Sequence, residues 1–119
     1  MTEWKKKLAM AENNVTKRVL GMLGLAMKAG KVVIGTEQTI ISLQKGKVKR
    51  VLVSGSASDG TKKKISSKCE FYKTRLEELP IDTDELGRLL GKTYTPAIVG
   101  ITDENFSRTI VKLLDDENA

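Results

Sequence analysis

The chain has 119 residues, of which 39% are hydrophobic, so its length fits a single domain with a modest apolar core. It contains no histidine and one cysteine, which excludes Ser–His and Cys–His catalytic pairs, histidine-ligated metals, thiolate metal clusters and intramolecular disulfides. No apolar run reaches the roughly 20 residues that span a bilayer, and the apolar stretch near the start is too short for a secretory signal. We therefore expect a cytoplasmic protein without a membrane partner or a cofactor.

The charges are distributed unevenly along the chain. Residues 1–75 carry 17 Lys or Arg against 5 Asp or Glu, a net charge of +12, whereas residues 76–119 carry 4 against 10, a net charge of −6. A basic region of this kind favours binding to a polyanion, and binding that displaces counterions from phosphates weakens steeply with salt. The alternative is that the lysines only solvate surface helices.

The first half of the chain predicts two helices around one short strand. Residues 1–13 are polar and form either an N-terminal arm or an extension of the first helix. A helical apolar period begins at Val15 and ends at Gly30, which is typical of a helix C-terminus. The apolar run 32–34 predicts a buried strand, and residues 36–44 predict a second helix.

The middle of the chain repeats this alternation. Val51–Val53 form the second predicted strand, and the small polar stretch 54–60 is a loop. A third helix is predicted over about 61–73, with Cys69 on its inner face, so that a buried thiol is favoured over a nucleophile. Residues 75–79 predict an edge strand, because the proline that follows cannot donate to a sheet.

The remaining elements follow the same pattern. Asp82 and Glu85 resemble a capping box before a short helix that ends at Gly91. We then predict, in order, a loop over 92–96, a strand over 97–101, a last helix from Asp103 and an acidic tail over 115–119. Amphipathic helices that alternate with apolar strands indicate a sheet covered on both faces. The predicted fold is a three-layer α/β/α sandwich with a mixed sheet of about four strands, in a single domain over 14–114.

The segment 23–39, LGLAMKAGKVVIGTEQT, is the most informative motif. Gly35 stands between a buried strand and a helix start, where free backbone N–H groups and the positive end of the helix dipole allow a polyanion to approach. Gln38 both donates and accepts hydrogen bonds, which suits the edge of a base. The alternative is that Gly35 only forms a tight turn and Glu37 only complements the dipole.

This segment resembles the bacterial YlxQ-like branch of the L-seven-Ae family of ribosomal and kink-turn RNA-binding proteins. The similarity extends in the same order over about residues 15–112, through KGKVKRVLVSGSAS, GTKKKI, ELGRLLGK and PAIVGITDENF. Each piece is weak alone, and together they are specific. The resemblance implies an α/β/α sandwich that binds sharply bent RNA containing sheared G·A pairs.

The resemblance also implies which residues meet the RNA. The family commonly has a Gly-x-Asn-Glu turn with a lysine three residues later, and the corresponding positions begin at Gly35. Here Glu37 replaces the asparagine, Gln38 replaces the glutamate, and Ile41 replaces the lysine, with an inward-packed side chain as one expectation. These substitutions alter the part of the turn that reads the RNA.

The loop over 92–96 matches the second RNA-facing element of the family. Tyr94 is expected either to stack on an unpaired base or to pack against the surface. Lysines at the start of the third helix and beside the first strand are expected to hold phosphates. The complete set of predicted RNA-binding residues is Lys28, Lys31, Gly35, Thr36, Glu37, Gln38, Thr39, Lys62, Lys63, Lys92, Thr93, Tyr94, Thr95 and Pro96.

Three functional hypotheses follow from these features. The first is a monomeric ribosomal-type protein that binds structured RNA, either ribosomal or kink-turn RNA, with the ribosome as a partner. The second is a protein-interaction module that has kept the fold and lost specific RNA binding, as the substitutions at Glu37 and Ile41 suggest. The third, an enzyme acting on a nucleotide or RNA, lacks any catalytic constellation, so we predict that the chain is not an enzyme.

Overall fold

The computed structural model describes residues 14–92 and 94–117. Five helices and four strands alternate along this part of the chain. They are α1 (Asn14–Lys28), β1 (Val32–Ile34), α2 (Thr36–Gln44), β2 (Arg50–Ser54), α3 (Asp59–Phe71), β3 (Leu76–Leu79), α4 (Thr83–Leu89), β4 (Ile98–Ile101) and α5 (Glu104–Glu117). Within these residues no helix has both the length and the hydropathy needed to cross a membrane.

The four strands form one mixed sheet in the order β1–β4–β2–β3. β4 runs antiparallel to both of its neighbours. Val99 of β4 lies opposite Ile34 of β1, and Ile98 of β4 lies opposite Val53 of β2. β2 and β3 are parallel, with Val51 opposite Leu76. β1, β2 and β3 therefore end at the same edge of the sheet at which β4 begins.

This topology gives the sheet two different ends. The Gly35 end, where β1 and β2 finish and β4 starts, carries the first turn of α2 and the loop before β4. The Lys49 end, where β1 to β3 start and β4 finishes, carries the C-termini of α1, α2 and α3. Residues that are close in sequence on either side of a strand therefore lie at opposite ends of the molecule.

Alternation along the strands divides the core between the two faces of the sheet. Leu52, Val99 and Ile101 pack with α1, α4 and α5 on one face. Val51, Val53 and Ile98 pack with α2 and α3 on the other. Since successive strand residues point to opposite faces, a strand buried on both faces is apolar over its central residues, as Val51–Val53 of β2 and Ile98–Ile101 of β4 are. The predicted three-layer sandwich with a four-stranded mixed sheet is confirmed.

The observed bounds of the elements differ from the predicted ones at a few points. α3 begins at Asp59 rather than near Thr61, because the Ser58 hydroxyl caps it by accepting from the Thr61 amide at 3.2 Å. α5 continues through Glu117, so the first residues of the predicted acidic tail are helical. The predicted N-terminal arm over 1–13 lies outside the described residues. β3 lies at the edge of the sheet, as Pro80 predicted.

Candidate nucleic-acid interface

Gly35 sets the geometry of the α2 N-terminus. Its backbone adopts φ 97° and ψ 157°, a conformation that is essentially restricted to glycine. Its N–H donates to the Ile98 carbonyl at 2.8 Å, which ties the start of α2 to the start of β4. No side chain caps the helix, and within the described part of the chain no protein group accepts from the amides of residues 36–38. These amides remain free to bind an acceptor from outside the protein.

The other helices whose N-termini are fully described have side-chain caps. Ser58 caps α3, Asp82 accepts from the Glu85 amide at 2.8 Å in α4, and Asp103 accepts from the Phe106 amide at 3.0 Å in α5. The predicted capping role of Asp82 is confirmed. α2 thus differs from its neighbours because glycine replaces the usual Ser or Asp.

The loop before β4 lies beside this N-terminus and packs on α4. Ala97 is the last residue of this loop, and its carbonyl accepts a hydrogen bond from the Ser54 amide at 2.8 Å. Gly87 of α4 faces the loop so closely that a Cβ there would lie 2.8 Å from the Tyr94 carbonyl oxygen and 3.3 Å from Pro96 Cδ. Pro96 is buried by this packing, while the Tyr94 side chain is 54% exposed. Gly87 was not among the predicted site residues.

The remaining predicted residues of the loop behave differently from Pro96. Lys92 and Thr95 are exposed beside Tyr94, whereas Thr93 lies outside the described residues. Since Pro96 is buried, its ring supports the loop on α4 and does not offer a surface to RNA. The contact predicted for Pro96 is therefore corrected to a packing role.

The first turn of α2 presents some of its predicted residues and buries one. Glu37 and Gln38 are exposed, and Thr36 is half-buried. Thr39 is fully buried, and its methyl carbon lies 3.2 Å from where a Cβ on Gly100 would stand. Its side chain is therefore under the surface, and the prediction that it contacts RNA is corrected. Ile41 is 40% exposed, contrary to the expectation that it packs inward.

The lysines at the start of α3 have distinct partners. Lys62 Nζ donates to the Gly55 carbonyl at 2.8 Å and lies 3.4 Å from Glu78 Oε1, so it is held within the protein. Lys64 Nζ lies 3.0 Å from Glu37 Oε1 and joins α3 to the first turn of α2. This exposed ion pair adds little stability, but it places a cation beside the Glu37 carboxylate. Lys63 is exposed, and it forms no ion pair with any described residue.

Lys28 and Lys31 are the predicted residues that the fold separates from this face. They lie at the Lys49 end, where the Lys31 carbonyl accepts from the Thr102 amide at 2.9 Å. At a rise of about 3.3 Å per residue, the strand between Lys31 and Gly35 separates them by roughly 13 Å. The grouping of these two lysines with Gly35 is therefore corrected, because β1 runs between them.

Comparison with known proteins gives relatives of similar length. An "RNA-binding protein YlxQ" from Enterococcus faecium is 34% identical over 106 residues, which cover 89% of this chain and 99% of that protein. The protein of the same name from Bacillus subtilis is 36% identical over 94 residues, 79% of this chain and 92% of that protein. Large ribosomal subunit protein eL30 from Sulfolobus acidocaldarius is 33% identical over 76% of this chain and 86% of its own. These relatives are named as RNA-binding or ribosomal proteins, which confirms that the chain is not an enzyme.

Solved structures show the same fold. A protein of unknown function from Bacillus halodurans C superposes with a TM-score of 0.74 at 35% identity, over 82% of this chain and 96% of that one. A 15.5 kD RNA binding protein from Giardia lamblia superposes with a TM-score of 0.69 at 13% identity, over 89% of this chain and 90% of that one. Residues 17–111 match the model of the ribosomal protein L7Ae/L30e/S12e/Gadd45 family, and the chain belongs to that family.

Proposed function

We propose that this protein binds structured, kink-turn-like RNA at the Gly35 end of its sheet. The observation that carries the proposal is the uncapped α2 N-terminus at Gly35, beside a loop that exposes Tyr94. Membership of a family with relatives named as RNA-binding and ribosomal proteins supports RNA as the ligand. In this proposal the RNA is ribosomal or kink-turn RNA, and the protein acts in the cytoplasm as a monomer.

The contacts divide between those that position the RNA and those that read it. The free amides of residues 36–38 and the positive end of the helix dipole bind a phosphate or a base acceptor. Gln38 donates and accepts, while the Glu37 carboxylate accepts from base amino groups. Tyr94 stacks on an unpaired base, and Lys63 and Lys92 contact backbone phosphates.

In the proposed function, the protein recognises the sheared G·A pairs of the RNA. The experiment titrates three RNAs of matched length: a kink-turn, the same RNA with its G·A pairs replaced by Watson–Crick pairs, and a straight duplex. The kink-turn is expected to bind at least about tenfold more tightly, which corresponds to roughly 1.4 kcal/mol. Equal affinity for all three would leave only the sequence-independent attraction of a basic protein for phosphates.

A protein-interaction module is the second candidate function. The observation that favours it is the exposed Ile41, since it follows Glu37 on α2 where the family commonly has a lysine. An apolar side chain on an accessible helix suits a protein partner better than a phosphate. A partner that stays bound after nuclease treatment and in high salt, and that is lost in Ile41→Lys, would favour this function over RNA binding.

A further inference from the structure

The Lys49 end of the sheet gathers cations from several elements. Hydrogen bonds fix three of them in a row along the strand starts: Thr102 N–H to the Lys31 carbonyl at 2.9 Å, Lys49 N–H to the Ile101 carbonyl at 2.7 Å, and Val51 N–H to the Arg75 carbonyl at 3.0 Å. At about 4.8 Å between strands, this row is roughly 14 Å long. Lys45 and Lys47, in the turn after α2, lie at the same end.

These cations lack ion-pair partners among the described residues. No described residue forms an ion pair with Lys31, Lys45, Lys47, Lys49 or Arg75, all of which are exposed. Among residues 14–92 and 94–117, few acidic groups lie at this end: Glu77 pairs with Arg50 at 3.1 Å, Asp103 caps α5, and Glu104 lies 3.5 Å from Arg108, which leaves the exposed Glu70. The described residues at the Lys49 end therefore carry a net positive charge that their ion pairs do not neutralise.

Helix stabilisation accounts for only part of this charge. Cations complement a helix dipole within its last turn, as Lys28 does in α1. Lys31, Lys47 and Lys49 lie beyond the helix ends, where that effect has decayed. Neighbouring like charges repel each other, so the arrangement is unfavourable without an anionic partner.

An exposed aromatic residue lies at the same end. Phe71, the last residue of α3, is 76% exposed, and the Tyr72 ring packs against it edge to face at 4.8 Å between centroids. α2 and α3 cover the same face of the sheet, and both end at the Lys49 end. Phe71 at the end of α3 and the turn with Lys45 and Lys47 after α2 therefore lie on the same side of the molecule. An exposed ring at the same end of a protein as a group of cations suits unpaired bases, which stack on the ring while the cations hold their phosphates.

We propose that the Lys49 end binds a second, single-stranded RNA segment, with Phe71 stacking on a base and Lys45, Lys47 and Lys49 contacting phosphates. This inference rests on the proposed function in taking RNA as the ligand. β2 alone separates the two ends by about 17 Å, so a segment bound at the Lys49 end occupies a surface distinct from the one at Gly35.

The test uses the full chain and a short oligouridylate, with kink-turn RNA measured in parallel. K45Q/K47Q/K49Q removes three cations, and F71A removes the ring. The matched control K17Q/R18Q/K112Q removes the same charge from exposed residues of α1 and α5. F71A is expected to weaken oligouridylate binding at least about fivefold. The negative slope of log affinity against log salt is expected to become shallower by about 2 in the triple variant, at roughly 0.7 per lost phosphate contact.

The outcomes separate this inference from the proposed function. Relative to the control, both variants are expected to leave kink-turn binding unchanged, and wild type bound to immobilised kink-turn RNA is expected to capture the oligouridylate. If both variants lose oligouridylate binding while wild type does not bind kink-turn RNA at all, the result would support this site and exclude the one at Gly35. Equal oligouridylate binding by K45Q/K47Q/K49Q and its control would overturn the inference. It would also be overturned if polyglutamate bound as tightly as oligouridylate and F71A did not affect that binding.

Discussion

Gly87 and Tyr94 meet so closely that the position of the loop before β4 depends on the absence of a side chain at 87. A Cβ at Gly87 would stand 2.8 Å from the Tyr94 carbonyl oxygen, which is backbone and has no rotamer by which to move away. Since Gly87 is buried in α4, this contact seats the loop on the core. α4 therefore positions the Tyr94 backbone in the loop that leads to Ile98, whose carbonyl accepts from the Gly35 N–H at the α2 N-terminus.

Gly87→Ala is expected to displace the loop. The added methyl group overpacks the contact and lowers the free energy of unfolding by about 1–3 kcal/mol, and it weakens kink-turn binding because Tyr94 moves. Chemical denaturation and RNA titration measure the two effects. Gly21→Ala is the matched control, since Gly21 lies within α1 with no atom near the added methyl group, and alanine favours a helix. An unchanged RNA affinity in folded Gly87→Ala would remove the loop from the site.

Gly35→Ala is expected to strain the α2 N-terminus without a steric clash. No atom lies within 4 Å of a Cβ at Gly35, so the cost comes from the backbone conformation, about 1–3 kcal/mol. Relaxation of that strain changes the orientation of the amides of residues 36–38. Kink-turn affinity is therefore expected to fall. Gly46→Ala is the control, because Gly46 has φ 70° and similarly open space, yet lies at the other end of the sheet. Loss of RNA binding in both variants would point to general destabilisation.

Gln38→Ala tests the residue assigned to reading a base. Its side chain is exposed and makes no described hydrogen bond, so thermal stability is expected to stay unchanged. Kink-turn affinity is expected to fall about fivefold, the equivalent of roughly 1 kcal/mol for one lost hydrogen bond. Gln44→Ala, at the other end of the same helix, provides the control. Equal affinities for the two variants would exclude Gln38 from the interface.

Thr39→Val tests whether the buried Thr39 side chain reaches RNA. The Thr39 hydroxyl is buried and has no hydrogen-bond partner within the described structure, so it bears a desolvation cost that valine avoids. The variant is expected to gain about 1 kcal/mol in free energy of unfolding and to bind RNA as wild type does. A loss of RNA affinity at unchanged stability would show that Thr39 reaches the RNA after all.

Cys69 gives a pH-dependent contribution to stability. Burial raises the pKa of the Cys69 thiol from 9.0 to about 11. Because the unfolded chain loses this proton first, the contribution is complete below pH 9 and is lost as the pH rises towards 11. The loss reaches about 3 kcal/mol, at roughly 1.4 kcal/mol per pH unit. Urea denaturation between pH 8 and pH 10.5 measures this loss. The slope of the free energy of unfolding against pH is compared between wild type and Cys69→Ala. Parallel slopes would contradict a neutral, buried thiol.

Most of the fold was accessible from the sequence because its signals are local. The apolar run Val51–Val53, the glycine stops and the Asp82 cap each act within a few residues, and each predicted element is present. Ser58 was the exception, since its cap moves the start of α3 towards the N-terminus by two residues relative to the prediction.

The site was less accessible because it depends on contacts between distant residues. The separation of Lys31 from Gly35 is an exception, because it follows from the predicted strand over 32–34 that runs between them. The burial of Thr39 depends on the close approach of Gly100, and that of Pro96 depends on Gly87. The Lys64–Glu37 ion pair joins two helices, and the only signal for it was the run of three lysines.

In the proposed function, RNA contacts the protein at the α2 N-terminus. Amide chemical shifts of ¹⁵N-labelled protein during titration with kink-turn RNA measure this contact directly, residue by residue. We expect the amides of residues 36–38 and of Tyr94 and Thr95 to shift first and to saturate together, and RNA without G·A pairs to leave them nearly unchanged. Shifts confined to the Lys49 end, or shifts at the Gly35 end that are equal for both RNAs, would contradict it.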